Sequence, residues 1–233
     1  MSPSPADTVL ITGANRGIGL EYARQYAADG YRVLATTRHL QTAEALQALA
    51  RQYPNLKLHS LDISSAEVIR LLATQLQTET IDILINNAGV YPESTFGRTD
   101  TQAWLTAFQI NTLSTYLLAE AFLSHLQRAR QPRLVAMTSK MGSIADNGSG
   151  SEYIYRSSKT ALNMVVKSLA IDLKPSNISV VALHPGWVRT DMGGPNGLID
   201  VQTSVAGLRQ VIDRLDASLS GQFIAYDGQP IPW

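Results

Sequence analysis

The stretch Thr12-Gly13-Ala14-Asn15-Arg16-Gly17-Ile18-Gly19 decides how this chain is read. It follows the short apolar run Val9-Leu10-Ile11-Thr12 and opens a segment with helical patterning that continues through Tyr26. The stretch therefore predicts a tight passage from a strand into a helix. Glycines in G-x-x-x-G-x-G spacing allow a sharp turn and close approach of backbone to a ligand, and the helix start behind them attracts a pyrophosphate. The spacing differs from the common G-x-G-x-x-G fingerprint, but the physics is shared. The alternative is a glycine-rich turn that binds nothing.

Outward from this turn, short β-branched or leucine-rich runs alternate with longer helical patterns to the end of the chain. Strands are expected near Val9–Thr12, Arg32–Thr36, Lys57–Leu61, Ile81–Asn86, Arg133–Ser139, Ser179–His184 and Gln222–Ala225. The clearest helix is Tyr155–Leu173, where Ala161, Leu162, Val165, Val166, Leu169, Ala170 and Leu173 recur at helical spacing and Pro175 bars continuation. Such alternation predicts βαβ units on one doubly wound parallel sheet of about seven strands, with helices on both faces. No repeat, low-complexity tract or linker interrupts it, so residues 1–233 read as a single domain with residues 1–7 as a frayed terminus.

Composition narrows the function classes. The 233 residues hold 19 Lys plus Arg against 19 Asp plus Glu, are 45% hydrophobic and 16% charged, and include no cysteine. A chain of zero formal charge lacks the basic excess that grips a phosphate backbone, so nucleic acid is not an expected partner. With no thiol there is no disulfide framework, thiolate nucleophile or thiolate-bound metal, and no metal site is expected. No run approaches the ~20 apolar residues of a bilayer-crossing helix, and the first residues lack a signal-peptide pattern, so no membrane association and a cytoplasmic address are expected.

Two further segments carry chemistry. Asp82-Ile83-Leu84-Ile85-Asn86-Asn87-Ala88-Gly89 runs a strand into paired asparagines and a glycine, and Tyr155-Arg156-Ser157-Ser158-Lys159 places a tyrosine and a lysine four apart on one helical face. A second Tyr-x-x-x-Lys match, Tyr53-Pro54-Asn55-Leu56-Lys57, contains a proline that precludes a shared helical face. Taken in order, the glycine turn, the Asn-Asn-Ala-Gly segment and the Tyr-x-x-x-Lys pair resemble the short-chain dehydrogenase/reductase family over essentially the whole chain.

That resemblance implies a Rossmann-type fold and a nicotinamide dinucleotide across the carboxyl ends of the strands. Its cofactor-binding set comprises Gly13, Asn15, Arg16, Gly17, Ile18 and Gly19 in the first turn, and Asp62 and Ile63 flanking the adenine. Asn87, Ala88 and Gly89 lie along the adenosine ribose. After the sixth strand, His184-Pro185-Gly186-Trp187-Val188-Arg189-Thr190-Asp191-Met192 resembles the family's Pro-Gly turn, with Val188 and Thr190 holding the carboxamide beside Pro185 and Gly186. The second strand ends Ala35-Thr36-Thr37-Arg38, with no acid to bind a ribose 2′-hydroxyl. Arg38 with Arg16 is suited to clamp a 2′-phosphate, so NADP(H) is favoured over NAD(H). Solvated surface arginines are the alternative.

The resemblance assigns acid/base chemistry to Tyr155 and Lys159. A tyrosine titrates near 10, and bringing it to ~7 takes about 4 kcal/mol in favour of the phenolate. One unit charge at ~4 Å and an effective dielectric of ~20 contributes about 4 kcal/mol, so Lys159 as the fixed charge can do much of this, and the oxidised nicotinamide ring adds a second positive charge. The family's lysine also holds the nicotinamide ribose. Ser139, 16 residues before Tyr155, is expected to hydrogen-bond the substrate oxygen, with Ser143 as a competitor because the intervening loop is slightly long. Asn111, inside the helix expected over Thr101–Gln127, needs a buried partner and in the family bends its helix and holds a water leading to the lysine.

The chain's ending and its 141–147 and 186–192 segments resemble the Sniffer-type and C-factor-like branch. The resemblance implies an oxidoreductase acting on C=O or CH–OH groups of a small or hydrophobic carbonyl or alcohol, its pocket lined by Met141, Trp187 and Met192. It also implies a homodimer or homotetramer packed through Thr101–Gln127 and Tyr155–Leu173. Leu113, Leu117, Ala121 and Val166 or Leu169 appear as surplus apolar positions for that contact. A C-factor-like sensor that binds NAD(P) with little turnover, and a cofactor-free scaffold, are the other readings.

Overall fold

The computed structural model describes residues 7–233. Residues 1–6 of the expected frayed terminus lie outside them, whereas Asp7 already takes part in the fold, its carbonyl accepting from Arg32 N at 3.0 Å.

Seven strands form one parallel sheet: β1 (Thr8–Ile11), β2 (Arg32–Thr37), β3 (Leu56–Ser60), β4 (Ile83–Asn86), β5 (Arg133–Met137), β6 (Ser179–His184) and β7 (Phe223–Ala225). Their order is β3-β2-β1-β4-β5-β6-β7. β1 and β4 are buried along their whole length, as a sheet covered on both faces requires. The helices are α1 (Gly17–Ala28), α2 (Glu44–Gln52), α3 (Ala66–Gln75), α4 (Thr101–Phe108), α5 (Ser114–Ala121), α6 (Leu123–Gln127), α7 (Tyr153–Asp172) and α8 (Val201–Asp213). One face of the sheet packs Tyr22 and Tyr26 of α1, Leu46 of α2 and Leu208 of α8. The other packs Ile69 and Leu72 of α3, Leu118 of α5 and Leu162 and Val166 of α7. The architecture is the doubly wound α/β fold that the alternation predicts.

Local chemistry sets the element ends. Asp100 accepts from Gln102 N and Ala103 N at the start of α4, Asp200 accepts from Thr203 N at 2.6 Å at the start of α8, and Ser65 caps α3 through Val68 N. Tyr53 ends α2 while Lys57 sits in β3, so the second Tyr-x-x-x-Lys match is split between two elements.

The long helix expected over Thr101–Gln127 is interrupted twice. A π turn at Gln109–Leu113 joins α4 to α5, and Phe122 leaves helical geometry before α6. The surplus apolar positions also need correction. Val166 and Leu169 belong to the core, and Leu117 and Ala121 pack against it. Of the expected set only Leu113 is exposed, and the outward apolar side chains of these helices are instead Leu105, Tyr116, Met164 and Ile171.

Because β1 is flanked by β2 and β4, the chain runs outward in opposite directions from it, and a crevice opens at the carboxyl ends of β1 and β4. Open α/β sheets bind their ligands at this switch in strand order. The glycine turn and the Asn-Asn-Ala-Gly segment leave the sheet there, side by side.

Candidate active site

The two motifs at the crevice are interlocked. The Thr12 hydroxyl donates to Asn86 Oδ1 at 2.8 Å and accepts from Asn87 N and Ala88 N at 3.0 and 3.1 Å. The Asn86 amide, fully enclosed, donates to Ser114 Oγ and Thr115 Oγ1 of α5 at 3.0 and 2.7 Å. Asn87 Nδ2 donates to the carbonyls of Thr12 and Gly13. Its amide is thus spent on shaping the glycine turn, with the 87–89 backbone left along the crevice. Gly13 and Gly17 adopt positive φ, and a Cβ on Gly19 would stand 2.2 Å from Gly13 O. No side chain fits at position 19, which explains that glycine better than ligand contact alone.

Across the crevice the segment after β6 folds over the turn. Gly186 has φ of 85°, Val188 is buried, and Thr190 Oγ1 accepts from Gly193 N at 3.1 Å. Thr190 lies beside Gly17, a Cβ on which would be 3.4 Å from the threonine methyl. Pro185 O accepts from Ser204 Oγ of α8, fixing the turn. Arg16 reaches across to Asp191, Nη1 to Oδ2 2.8 Å, in a well-exposed pair. Arg38 is also exposed, with Nε donating to His39 Nε2 at 3.1 Å. Asp62 accepts from Ser64 N and Oγ, and these bonds, with Arg38 nearby, hold its carboxyl below the usual range despite partial burial. Ile63 is buried beside it and Asn15 and Ile18 are half-buried at the turn.

Toward β5 the crevice ends in a cluster of Ser139, Tyr155 and Lys159, all nearly sealed from solvent. Ser139 Oγ accepts from Met141 N at 3.1 Å, and its hydroxyl also meets the Tyr155 phenol. Ser143, by contrast, donates to the Pro232 and Trp233 carbonyls and accepts from Asp146 N, so it is engaged in holding the 143–146 loop to the chain's last residues. Of the two serines, Ser139 is the one that meets Tyr155.

Lys159 Nζ donates to Met137 O at 2.8 Å and lies 5.8 Å from the Tyr155 ring centroid. Burial pushes its ammonium down to about 8. Burial likewise pushes the Tyr155 phenol up to about 12, the hydrogen bond with Ser139 acting in the opposite direction. Within the chain itself desolvation dominates the phenol, and the positive charge that the oxidised nicotinamide would add belongs to the cofactor. At neutral pH the phenol keeps its proton.

Asn111 sits in the π turn with its partners found: Oδ1 accepts from Val90 N at 2.8 Å, while Nδ2 donates to Val90 O and Ser158 Oγ. It ties the segment after Gly89 to α7. His184, pushed to about 4 by burial, faces a separate cavity with Lys140 and Asp227. Of the expected pocket residues, Met141 is half-buried while Trp187 and Met192 are about half exposed, Trp187 Nε1 donating to Gly193 O.

The sequence reading missed Tyr91, whose ring stands 4.4 Å from that of Tyr155. It also missed the three consecutive left-handed residues Gly150, Ser151 and Glu152 that lead into α7. Nothing in the local pattern marks either, since both depend on how the 90–94 loop meets α7.

The family model for short chain dehydrogenase matches residues 7–198. The chain belongs to this family. It is 43% identical over 166 residues to the C-signal of Myxococcus xanthus, covering 71% of this chain and 100% of that relative. Among solved structures, the carbonyl reductase Sniffer of D. melanogaster superposes with a TM-score of 0.93 at 34% identity, covering 98% of this chain and 100% of that one. The NADPH-bound carbonyl reductase from chicken fatty liver does so with the same score and identity, covering 99% and 100%. These relatives place the chain in the Sniffer and C-factor-like branch of the short-chain oxidoreductases. Among the described residues no helix is long and apolar enough to cross a membrane, and no His, Cys, Asp and Glu grouping is arranged for a metal.

The lowered lysine gives a stability prediction with a defined sign. Between about 8 and 10.5 the unfolded lysine is protonated and the folded one is not, so stability rises with pH through that window, and below it the buried charge is a full penalty. Replacing Lys159 by Met is expected to raise the thermal midpoint of the ligand-free protein at pH 7. The gain over wild type should shrink as pH is raised from 8 to 10; a midpoint lowered at pH 7 would contradict it.

Proposed function

We propose that this chain is an NADPH-dependent carbonyl reductase, with Tyr155 as general acid, Ser139 as hydrogen-bond donor to the substrate oxygen and Lys159 as holder of the nicotinamide ribose. The observation that carries this reading is the buried Ser139, Tyr155 and Lys159 cluster at the crevice formed by the glycine turn.

The residues fit a dinucleotide. The turn at 13–19 offers backbone where side chains are sterically excluded, the helix start of α1 faces the crevice, and a Cβ on Gly89 would stand 3.1 Å from Asn111 Oδ1 and 3.6 Å from Lys159 Nζ, so the backbone there is kept bare beside the lysine. The chicken reductase, solved with NADPH, supports the choice of cofactor. When bound, the reduced nicotinamide supplies a hydride to the carbonyl carbon.

Each protein group then has a task set by its bonding. Ser139 Oγ accepts from Met141 N and its hydroxyl meets the Tyr155 phenol, so a carbonyl oxygen seated between the two hydroxyls would take a hydrogen bond from Ser139 that stabilises charge developing there. Tyr155, protonated at neutral pH, gives its proton to that same oxygen, and the form favoured by burial is the one reduction needs. Lys159 uses one hydrogen on Met137 O and keeps two for ribose hydroxyls. Arg38 and Arg16 hold the 2′-phosphate. Arg16 must leave Asp191 to do so, a small cost because an exposed ion pair is worth about 1 kcal/mol or less. Met141, Trp187 and Met192 give the substrate an apolar wall. The C-signal relative keeps a binding-only role in view, but such a role would leave the buried phenol without a task.

The exposed Leu105, Leu113, Tyr116, Met164 and Ile171 on α4, the π turn, α5 and α7 support a homodimer or homotetramer.

Tyr155→Phe is expected to lower carbonyl reduction by about 10²–10⁴-fold while NADPH binding, followed by fluorescence titration, persists. Turnover like wild type would remove Tyr155 as the acid. Wild type should bind NADPH more tightly than NADH, and Arg38→Ala should narrow that preference by about tenfold, the worth of one charge-assisted contact of roughly 1.5 kcal/mol. Equal or tighter NADH affinity would refute the assignment. Light scattering at micromolar concentration should give a mass of two or four chains, and a single-chain mass would leave these apolar side chains as a monomer's surface.

A further inference from the structure

We propose that Tyr91 is a positioning residue for Tyr155: its ring, clamped by a loop fixed at both ends, holds the acid's ring in one orientation and keeps water off that side of it. The inference rests on the role of Tyr155 given above.

The contact is built rather than incidental. The two rings stand 4.4 Å apart between centroids with their planes inclined by 55°, within the range of a favourable aromatic pair. At one end of the loop, Val90 is held through both its N–H and its carbonyl by the buried Asn111. At the other, the Ser94 carbonyl accepts from Glu152 N at 2.8 Å and from Ser151 Oγ, while Ser94 Oγ accepts from Ile154 N at 3.0 Å. The loop is thereby fastened to the first turn of the helix that carries Tyr155. The Tyr91 hydroxyl also faces the Glu152 carboxylate, whose Oε2 is buried with no hydrogen-bond partner among the described residues. Glu152 itself is held at φ of 50°. A non-glycine residue there is strained, and the surrounding bonds must impose it.

This arrangement answers a need of the site. A phenol has a single proton on a ring that pivots about two torsions, and small misplacement of a reacting group is costly to rate. The titratable and polar groups that face Tyr155 are Ser139, Lys159 and Tyr91. Tyr155 is only 8% exposed with the Tyr91 ring against it, and removal of that ring is expected to admit water to the face it covers.

The test compares Tyr91→Ala, Tyr91→Leu and Tyr91→Phe with wild type, all as full chains. The Tyr155 ionisation is followed by NMR of ¹³Cζ-labelled tyrosine up to the alkaline limit of folding, its signal identified by loss in Tyr155→Phe. Removing the ring should let Tyr155 titrate closer to its ordinary 10 within the folded range, whereas wild type and Tyr91→Phe should not. With a carbonyl panel and NADPH, kcat should fall about tenfold or more in the alanine and leucine variants, with KM for NADPH unchanged and most of kcat retained in the phenylalanine variant. The leucine variant keeps apolar volume and takes the same readings if the alanine variant does not fold. Unchanged Tyr155 titration or wild-type kcat in a folded ring-less variant overturns the proposal. A wild type inactive toward every carbonyl defeats the reductase reading instead, and the titration alone then decides the role of Tyr91.

Discussion

The crossing of the glycine turn against the end of β4 is the constraint on which the rest depends. The Thr12 hydroxyl makes three hydrogen bonds there, Asn86 carries the connection on to α5, and Asn87 braces the carbonyls of the turn. These groups are enclosed where an unpaired partner costs about 1–3 kcal/mol, so the network is secure only when every member is present. Its geometric counterpart is the absence of room at Gly13 and Gly19, where a Cβ would run into Ala88 or Gly13 O. Close packing of backbone against backbone thus fixes the crevice before any ligand enters.

From that crossing the order runs outward along α5 and the π turn. A π turn displaces the helix register by one residue, and here it brings Asn111 to face Val90 and Ser158 together. One buried carboxamide therefore links the loop after β4, the interrupted helix and α7. The consequence reaches the chemistry, because the same loop carries Tyr91 and the same helix carries Tyr155 and Lys159.

Electrostatics in the cluster oppose its own stability. Lysine and tyrosine are both driven toward their neutral forms by burial, the lysine downward and the tyrosine upward, and neither has a full charge partner among the described residues. An ordinary core would place apolar side chains at these positions. Groups kept buried at such a cost mark places where function is exchanged for stability.

The sequence by itself determined the fold class and the line-up of motifs. Alternating strand and helix patterns gave seven strands whose positions agree with the structure to within about two residues, because hydrophobic period and turn residues are local properties. The spacing of Tyr155 and Lys159 likewise needed only helical geometry. Other features lay beyond local pattern. The break of the 101–127 helix depends on Asn111 finding Val90, and the burial of Val166 and Leu169 depends on which face α7 turns to the sheet. The engagement of Ser143 with the chain's last residues came from hydroxyl partners more than 80 residues away in the chain. The pairing of Tyr91 with Tyr155 and the pull of burial on the phenol are properties of contacts between distant segments and of a solvent-excluded interior, which only the packed tertiary structure creates.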